Sequence, residues 1–214
     1  MKYKAILFDF DGTIADTAPG IVHTMCVTFA HLGMPIPDEA AMRATIGLPL
    51  SKALQQANHL SDADAALAAD TYRQFFKSCE AGLITLFPQV KETLQQLREM
   101  GMRMAIVTSR NVESLQLVLA THHIADFFEI LVTNNDGLPH KPAPDMVLHL
   151  LNRMEISADQ TLVVGDTTFD ILMGNGAKCH TCAVTYGNHT RPMLITAQPT
   201  YMIDSFNEIL GLIS

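Results

Sequence analysis

Asp9 and Asp11 stand two residues apart at the end of an apolar run, Ala5 to Phe8, and Gly12 follows them at once. Two like charges that close need a cation, or one of them must hold a proton. In such a pair one carboxylate can attack an electrophile while the other moves a proton, the division of labour of metal-assisted nucleophilic catalysis. Gly12 lets the chain turn sharply after the strand. A lone Asp-x-Asp is more often a solvated turn, so the weight falls on what else the chain brings to the same place.

The strands that follow end on matching chemistry. Met104 to Val107 runs into Thr108 and Ser109; Leu162 to Val164 runs into Gly165 and Asp166, with Asp170 one helical turn further on. The loop 133–145 carries Lys141 within His140-Lys141-Pro142-Ala143-Pro144-Asp145. Carboxylate oxygens suit Mg²⁺, hydroxyls grip phosphate oxygens, and a lysine offsets the charge of nucleophile and substrate. The inventory is that of phosphoryl transfer. His140 is read as an ordinary loop histidine.

For these residues to meet, the strands must lie side by side. Strands and helices alternate from Phe87 onward: helices near 88–100, 111–121, 144–153 and after Asp166, and strands near 104–107, 129–132, 162–165, 182–184 and 201–203. That grammar predicts an α/β fold with a doubly wound parallel sheet and right-handed crossovers, and ligands bind such sheets beyond the carboxyl ends of the strands. Residues 16–82 read as helical without a strand, an inserted cap domain. The core is then 1–15 plus 83–214. Asp16 or Thr17 is expected to cap the first inserted helix, Asp38 the next. Arg43, Lys52 and Arg73 are read as solvated helix faces.

Composition excludes several classes. With 48% hydrophobic residues the chain is no disordered segment, and a net charge of -8 leaves no footprint for nucleic acid or an anionic membrane. No charged and apolar leader opens it and no run reaches a membrane span, so a cytoplasmic location is expected. Cys179-His180-Thr181-Cys182 lacks a second pair and is assigned to packing.

At these residues the chain resembles the haloacid dehalogenase superfamily of phosphatases. Asp9-Phe10-Asp11-Gly12-Thr13 is similar to its first motif, Thr108 to its second, Lys141 to its third and Gly165-Asp166-Thr167-Thr168-Phe169-Asp170 to its fourth. The resemblance implies Asp9 as nucleophile and Asp11 as acid and base. It implies Mg²⁺ held by the Asp9 side chain, the Asp11 carbonyl and Asp166, with Asp170 in support, and Thr108 and Lys141 on the phosphoryl group. Ser109 is taken as a further phosphate contact. Strand order 3-2-1-4-5 and a specificity loop at 44–50 are also implied.

Asp11 argues against the dehalogenase and phosphonate-cleaving branches, which lack an aspartate there. The mutase branch carries a cap histidine where this chain has Ile21, so hydrolysis of small phosphorylated metabolites is preferred over a β-phosphoglucomutase-like transfer. Inorganic pyrophosphatase is a further alternative, and a phosphate-binding module without turnover the least favoured. Either a monomer or a homodimer is compatible. Where the family ends its fourth-motif helix on glycine, Lys178 stands, at a cost of about 1 kcal/mol if the position is left-handed.

Overall fold

The computed structural model describes residues 2–80 and 83–213. In chain order the elements are β1 (Ala5–Phe8), β2 (Ala15–Asp16), α1 (Ala18–His31), α2 (Glu39–Arg43), α3 (Leu50–Asn58), α4 (Asp62–Glu80), β3 (Thr85–Leu86), α5 (Val90–Glu99), β4 (Arg103–Val107), α6 (Val112–Thr121), β5 (Ile130–Val132), α7 (Asp145–Met154), β6 (Thr161–Gly165), α8 (Thr168–Gly176), β7 (His180–Val184), α9 (Arg191–Thr196), β8 (Tyr201–Ile203) and α10 (Ile209–Ile213). The strand order β5-β4-β1-β6-β7-β8 is the expected one extended by β8, and every pairing in this sheet is parallel. A parallel strand covered on both faces can be apolar throughout, as β1 is. Its Ile6 and Phe8 join the apolar cluster on one face, its Ala5 and Leu7 the cluster on the other. Burying each of the larger side chains contributes about 1.5–3 kcal/mol.

Register places the chemistry. Phe8 pairs with Ile106 of β4 and with Val164 of β6, so the residues just past the ends of these three strands share one edge of the sheet. Asp9 continues the ladder by one bond, its N–H donating to the Val164 carbonyl at 2.8 Å.

Helices α1 to α4 build a layer with its own apolar cluster, in which Met25 and Phe29 of α1 meet Leu54 of α3 and Tyr72 of α4. Asp38 caps α2 through a 2.7 Å bond from the Ala41 N–H. Thr17 occupies the N-cap of α1, yet its hydroxyl is buried without a partner. Residue 16 departs from expectation: Asp16 belongs to β2, which pairs antiparallel with β3 so that Ala15 faces Leu86 and Asp16 faces Thr85. Two-residue strands carry no readable period, and this ribbon joins the two passages of chain between the large sheet and the helical layer. Gly82, the expected end of the insertion, lies outside the described residues. Among the described residues no helix is long and apolar enough to cross a membrane.

The two cysteines of the Cys-x-x-Cys stretch point into different clusters, Cys179 into one and Cys182 into the other. Burial pushes both thiols up to about 12, which suits packing rather than reactivity.

Candidate active site

The loops at the strand ends make the site. After β1 the chain folds back at once, with the N–H groups of Thr13, Ile14 and Ala15 all donating to the Phe10 carbonyl. Gly12 sits at φ +88°, and a Cβ there would lie 2.1 Å from Asp166 Oδ2, so glycine is required both for the turn and for the approach of Asp166. After β6, Thr167 and Asp170 form a reciprocal capping box at the start of α8. The loop after β5 delivers Lys141 from below.

Lys141 is the centre of the charge arrangement. Its ammonium donates to Asp9 Oδ1 at 2.5 Å and to Asp170 Oδ1 at 2.6 Å, with all three side chains sealed from solvent. Burial alone would lower the Lys141 pKa, but Asp170 and Asp9 outweigh it and hold the ammonium charged. Asp170 has two tasks, since its Oδ2 also accepts from the Thr167 N–H and hydroxyl. Asp166 accepts from the Asn188 N–H at 2.7 Å, the Asn188 side chain at 2.9 Å and the Thr13 hydroxyl at 3.2 Å.

Asp9, Asp166 and Asp170 each offer an oxygen to a common point, all within 4.8 Å of one another. This all-oxygen set suits a hard divalent cation, and one lysine does not balance three buried carboxylates. Burial, then Asp170, pushes Asp166 up to about 7 against the Asn188 bonds. Burial also raises Asp9 well above the usual carboxylate range, opposed by Lys141 and reinforced by the neighbouring aspartates. A cation at that point would favour the ionised forms that burial disfavours.

Above the carboxylates lies a cavity of about 590 Å³ between core and helical layer, walled by Asp9, Asp11 and Thr108 below and by Ile46, Leu48 and Phe76 above. The loop 44–50 supplies much of its roof. Asn111 caps α6, its side chain accepting from the Glu113 and Ser114 N–H groups. The Thr108 hydroxyl accepts from the Arg110 N–H. Ser109 lines the same cavity but spends its hydroxyl on the Gly47 carbonyl of the roof at 2.7 Å. Arg73 lines the cavity at its rim and pairs with Asp70, while Arg43 pairs with Glu39, both exposed.

The expected residues Asp9, Asp11, Thr108 and Ser109 thus share one cavity, and Lys141, Asp166 and Asp170 lie directly beneath Asp9. Two residues were not anticipated. Arg110, buried, grips Asp11: its Nε lies 3.0 and 3.1 Å from the two Asp11 oxygens and its Nη2 2.6 Å from Oδ1. It sits two positions past Thr108, in a loop already singled out for its hydroxyls. Asn188 lies in the loop after β7, another strand end on the same edge of the sheet.

The family model for haloacid dehalogenase-like hydrolases matches residues 6–184. The chain is 37% identical over 213 residues to a probable phosphatase, IndB, of Dickeya dadantii, across 96% of this chain and 91% of that protein. It is 32% identical over 220 residues to a phosphoglycolate phosphatase of Yersinia pseudotuberculosis, across 98% and 94% of the two chains. Among solved structures, a haloacid dehalogenase-like family hydrolase from Streptococcus pneumoniae superposes with a TM-score of 0.90 at 29% identity, over 100% of this chain and 99% of that one.

Proposed function

Because this chain belongs to the haloacid dehalogenase-like hydrolase family and is a phosphoric monoester hydrolase, we propose that it is a Mg²⁺-dependent phosphatase of small phosphorylated metabolites, acting through an aspartyl-phosphate at Asp9. The Lys141 ammonium clamped between Asp9 and Asp170 in a buried carboxylate cluster carries the proposal. A structural ion pair needs no third carboxylate, and Asp166 is held in place by three hydrogen bonds beside it.

The Asp9 and Asp166 side chains and the Asp11 carbonyl would hold Mg²⁺, with Asp170 in support; when bound, the ion neutralises charge on the phosphoryl oxygens. The chain's own residues do the rest. An Asp9 oxygen attacks phosphorus, the bond to the leaving alcohol breaks, and Asp11 gives its proton to that oxygen. A water oxygen then attacks the phosphorus of the aspartyl-phosphate, Asp11 takes the water proton, and the bond to Asp9 breaks to release phosphate. Lys141 holds the Asp9 carboxylate and, with Thr108, the transferring group. The cap, residues 16–82, closes the site from water over the core, 1–15 plus 83–214.

Phosphoglycolate is the first substrate to try, since relatives that cover nearly the whole chain carry that name. A mutase-like or pyrophosphate-cleaving reaction is an outcome of the same screen. The location is read as cytoplasmic and the working unit as a monomer or homodimer. The test is phosphate release from a panel of phosphorylated metabolites and pyrophosphate, abolished by chelation and restored by Mg²⁺. Metal-dependent binding across the panel without turnover would overturn the proposal.

A further inference from the structure

The cavity does not end at the carboxylates. Its far wall is the apolar cluster of the helical layer itself: Met25 of α1, Ala53 of α3 and Tyr72 of α4, all buried in that cluster, line the cavity, and so do Ile21, Leu48 and Phe76 packed against it. A layer that served only to shut out water would close its own core; this one opens it toward Asp11. The cavity has its volume of about 590 Å³ with the roof seated, since Ser109 donates to the Gly47 carbonyl at 2.7 Å and a Cβ on Gly47 would lie 3.3 Å from Thr167 Cγ2. That volume falls among the clefts of roughly 300–1,000 Å³ that enclose drug-sized ligands, and a phosphoryl group with two carbons fills only part of it.

We propose that this cavity receives the leaving group, and that the substrate is a phosphate monoester of an uncharged alcohol with a flat apolar body, the size of a phenylethyl group. This rests on the phosphatase reading above and names what that site accepts. The direction follows from the chemistry. Attack by Asp9 in line with the ester bond puts the leaving oxygen on the side of phosphorus away from Asp9; Lys141, Asp166 and Asp170 lie beneath Asp9, so that side is the cavity. The apolar body follows from the far wall, where the Tyr72 and Phe76 ring centres are 6.1 Å apart and tilted, a surface on which a further ring packs well. Thr45 of the roof spends its hydroxyl on the Met42 carbonyl at 2.7 Å. The absence of charge follows from the ionised side chains. Glu113 adds a carboxylate to the wall, and the cations among the described lining residues are Arg73, exposed and paired with Asp70, and Arg110, which holds Asp11. A carboxylate on the leaving group would be desolvated against apolar side chains, a cost that an uncharged alcohol escapes.

The test compares kcat/KM for 2-phenylethyl phosphate, ethyl phosphate and 2-phosphoglycolate with Mg²⁺ present. The first two are esters of primary alkyl alcohols, so the ring is the difference that counts. Wild type prefers 2-phenylethyl phosphate over ethyl phosphate by roughly 10- to 100-fold, the range that burying one such side chain supplies, and over 2-phosphoglycolate by no less. In Ala53→Leu, which extends a side chain into the far end of the cavity, the preference over ethyl phosphate collapses toward one, the loss falling on the phenylethyl ester. Equal kcat/KM for the phenylethyl and ethyl esters in wild type, a preference for 2-phosphoglycolate, or the same proportional loss on all three esters in Ala53→Leu overturns the proposal. Should Ala53→Leu fail to fold, Phe76→Leu, at a half-buried position, carries the test: the preference falls several-fold with the ring removed, whereas a wild-type preference overturns the assignment. Asp9→Asn on the same esters separates the two levels. Full activity of that variant, or no turnover of any ester by wild type, sinks the phosphatase reading itself; Asp9-dependent turnover without preference for the ring leaves that reading standing and removes only the leaving-group assignment.

Discussion

Lys141 Nζ lies 2.5 Å from Asp9 Oδ1, and both side chains are buried. The pair fixes the orientation of the proposed nucleophile before any substrate arrives, and a second carboxylate, Asp170, keeps the lysine from following Asp9 alone. Removing the cation strands two buried carboxylates. Lys141→Met is therefore expected to lose on the order of 3–5 kcal/mol of stability at neutral pH, measured by urea unfolding, together with turnover. A variant as stable as wild type would show that the pair is not what holds the cluster.

The carboxyl cluster also sets a pH dependence. Asp166 is raised from 3.8 to about 7, and Asp9 is raised as well. Groups raised on folding bind more protons in the folded than in the unfolded chain, so their stabilising contribution is complete below about pH 4 and is lost as pH rises toward about 7. Cation binding requires the same groups deprotonated and so gains over that window. The rise in melting temperature on adding Mg²⁺ to chelator-treated protein should grow from pH 5 to pH 8; an increment that is absent, or constant across that range, contradicts the assigned metal site.

Ser109 was expected on the phosphate and is found on the roof. Its bond to the Gly47 carbonyl ties the β4 edge to the loop 44–50, and Gly47 itself, at φ +100°, packs against Thr167 of the fourth motif. Ser109→Ala should speed amide hydrogen exchange in residues 44–50 several-fold while global stability changes by about 1 kcal/mol or less. Unchanged exchange there would return Ser109 to the phosphate-binding set.

Lys178 adopts φ +64° just past Ala177, the C-cap of α8. Its N–H donates to the Asn175 carbonyl, and the Cys179 N–H to that of Gly174, the pairing of a left-handed helix stop. Lys178 is solvent-exposed, so Lys178→Gly removes a Cβ penalty without removing a packed side chain. A gain of about 1 kcal/mol in unfolding free energy is expected, with activity unchanged; a loss would mean the lysine makes a compensating contact.

Residues on strand ends were legible because two rules coincide there: an apolar run must stop where the sheet stops, and the residues just past it face the ligand edge. Asp9, Thr108 and Asp166 follow from that alone. Lys141 needed the company of the others, since a loop lysine by itself has no distinguishing pattern. Arg110 carries no such mark, since nothing in a sequence says that an arginine will fold back onto an aspartate 99 positions away. Asn188 reaches the site through its bonds to Asp166, a relationship that exists in three dimensions. The β2 and β3 ribbon was hidden for a different reason: its pairing is set by where the chain leaves and re-enters the core, not by any period in the residues.

The most direct measurement is turnover by Asp9→Asn, assayed with Mg²⁺ on 2-phosphoglycolate and on para-nitrophenyl phosphate, its fold confirmed by an unchanged far-ultraviolet spectrum. With Asp9 as the attacking group, activity on both esters falls by at least about 10³-fold and no acid-stable phosphoryl-enzyme forms. A folded Asp9→Asn enzyme that turns over either ester within tenfold of the wild-type rate would contradict Asp9 as nucleophile.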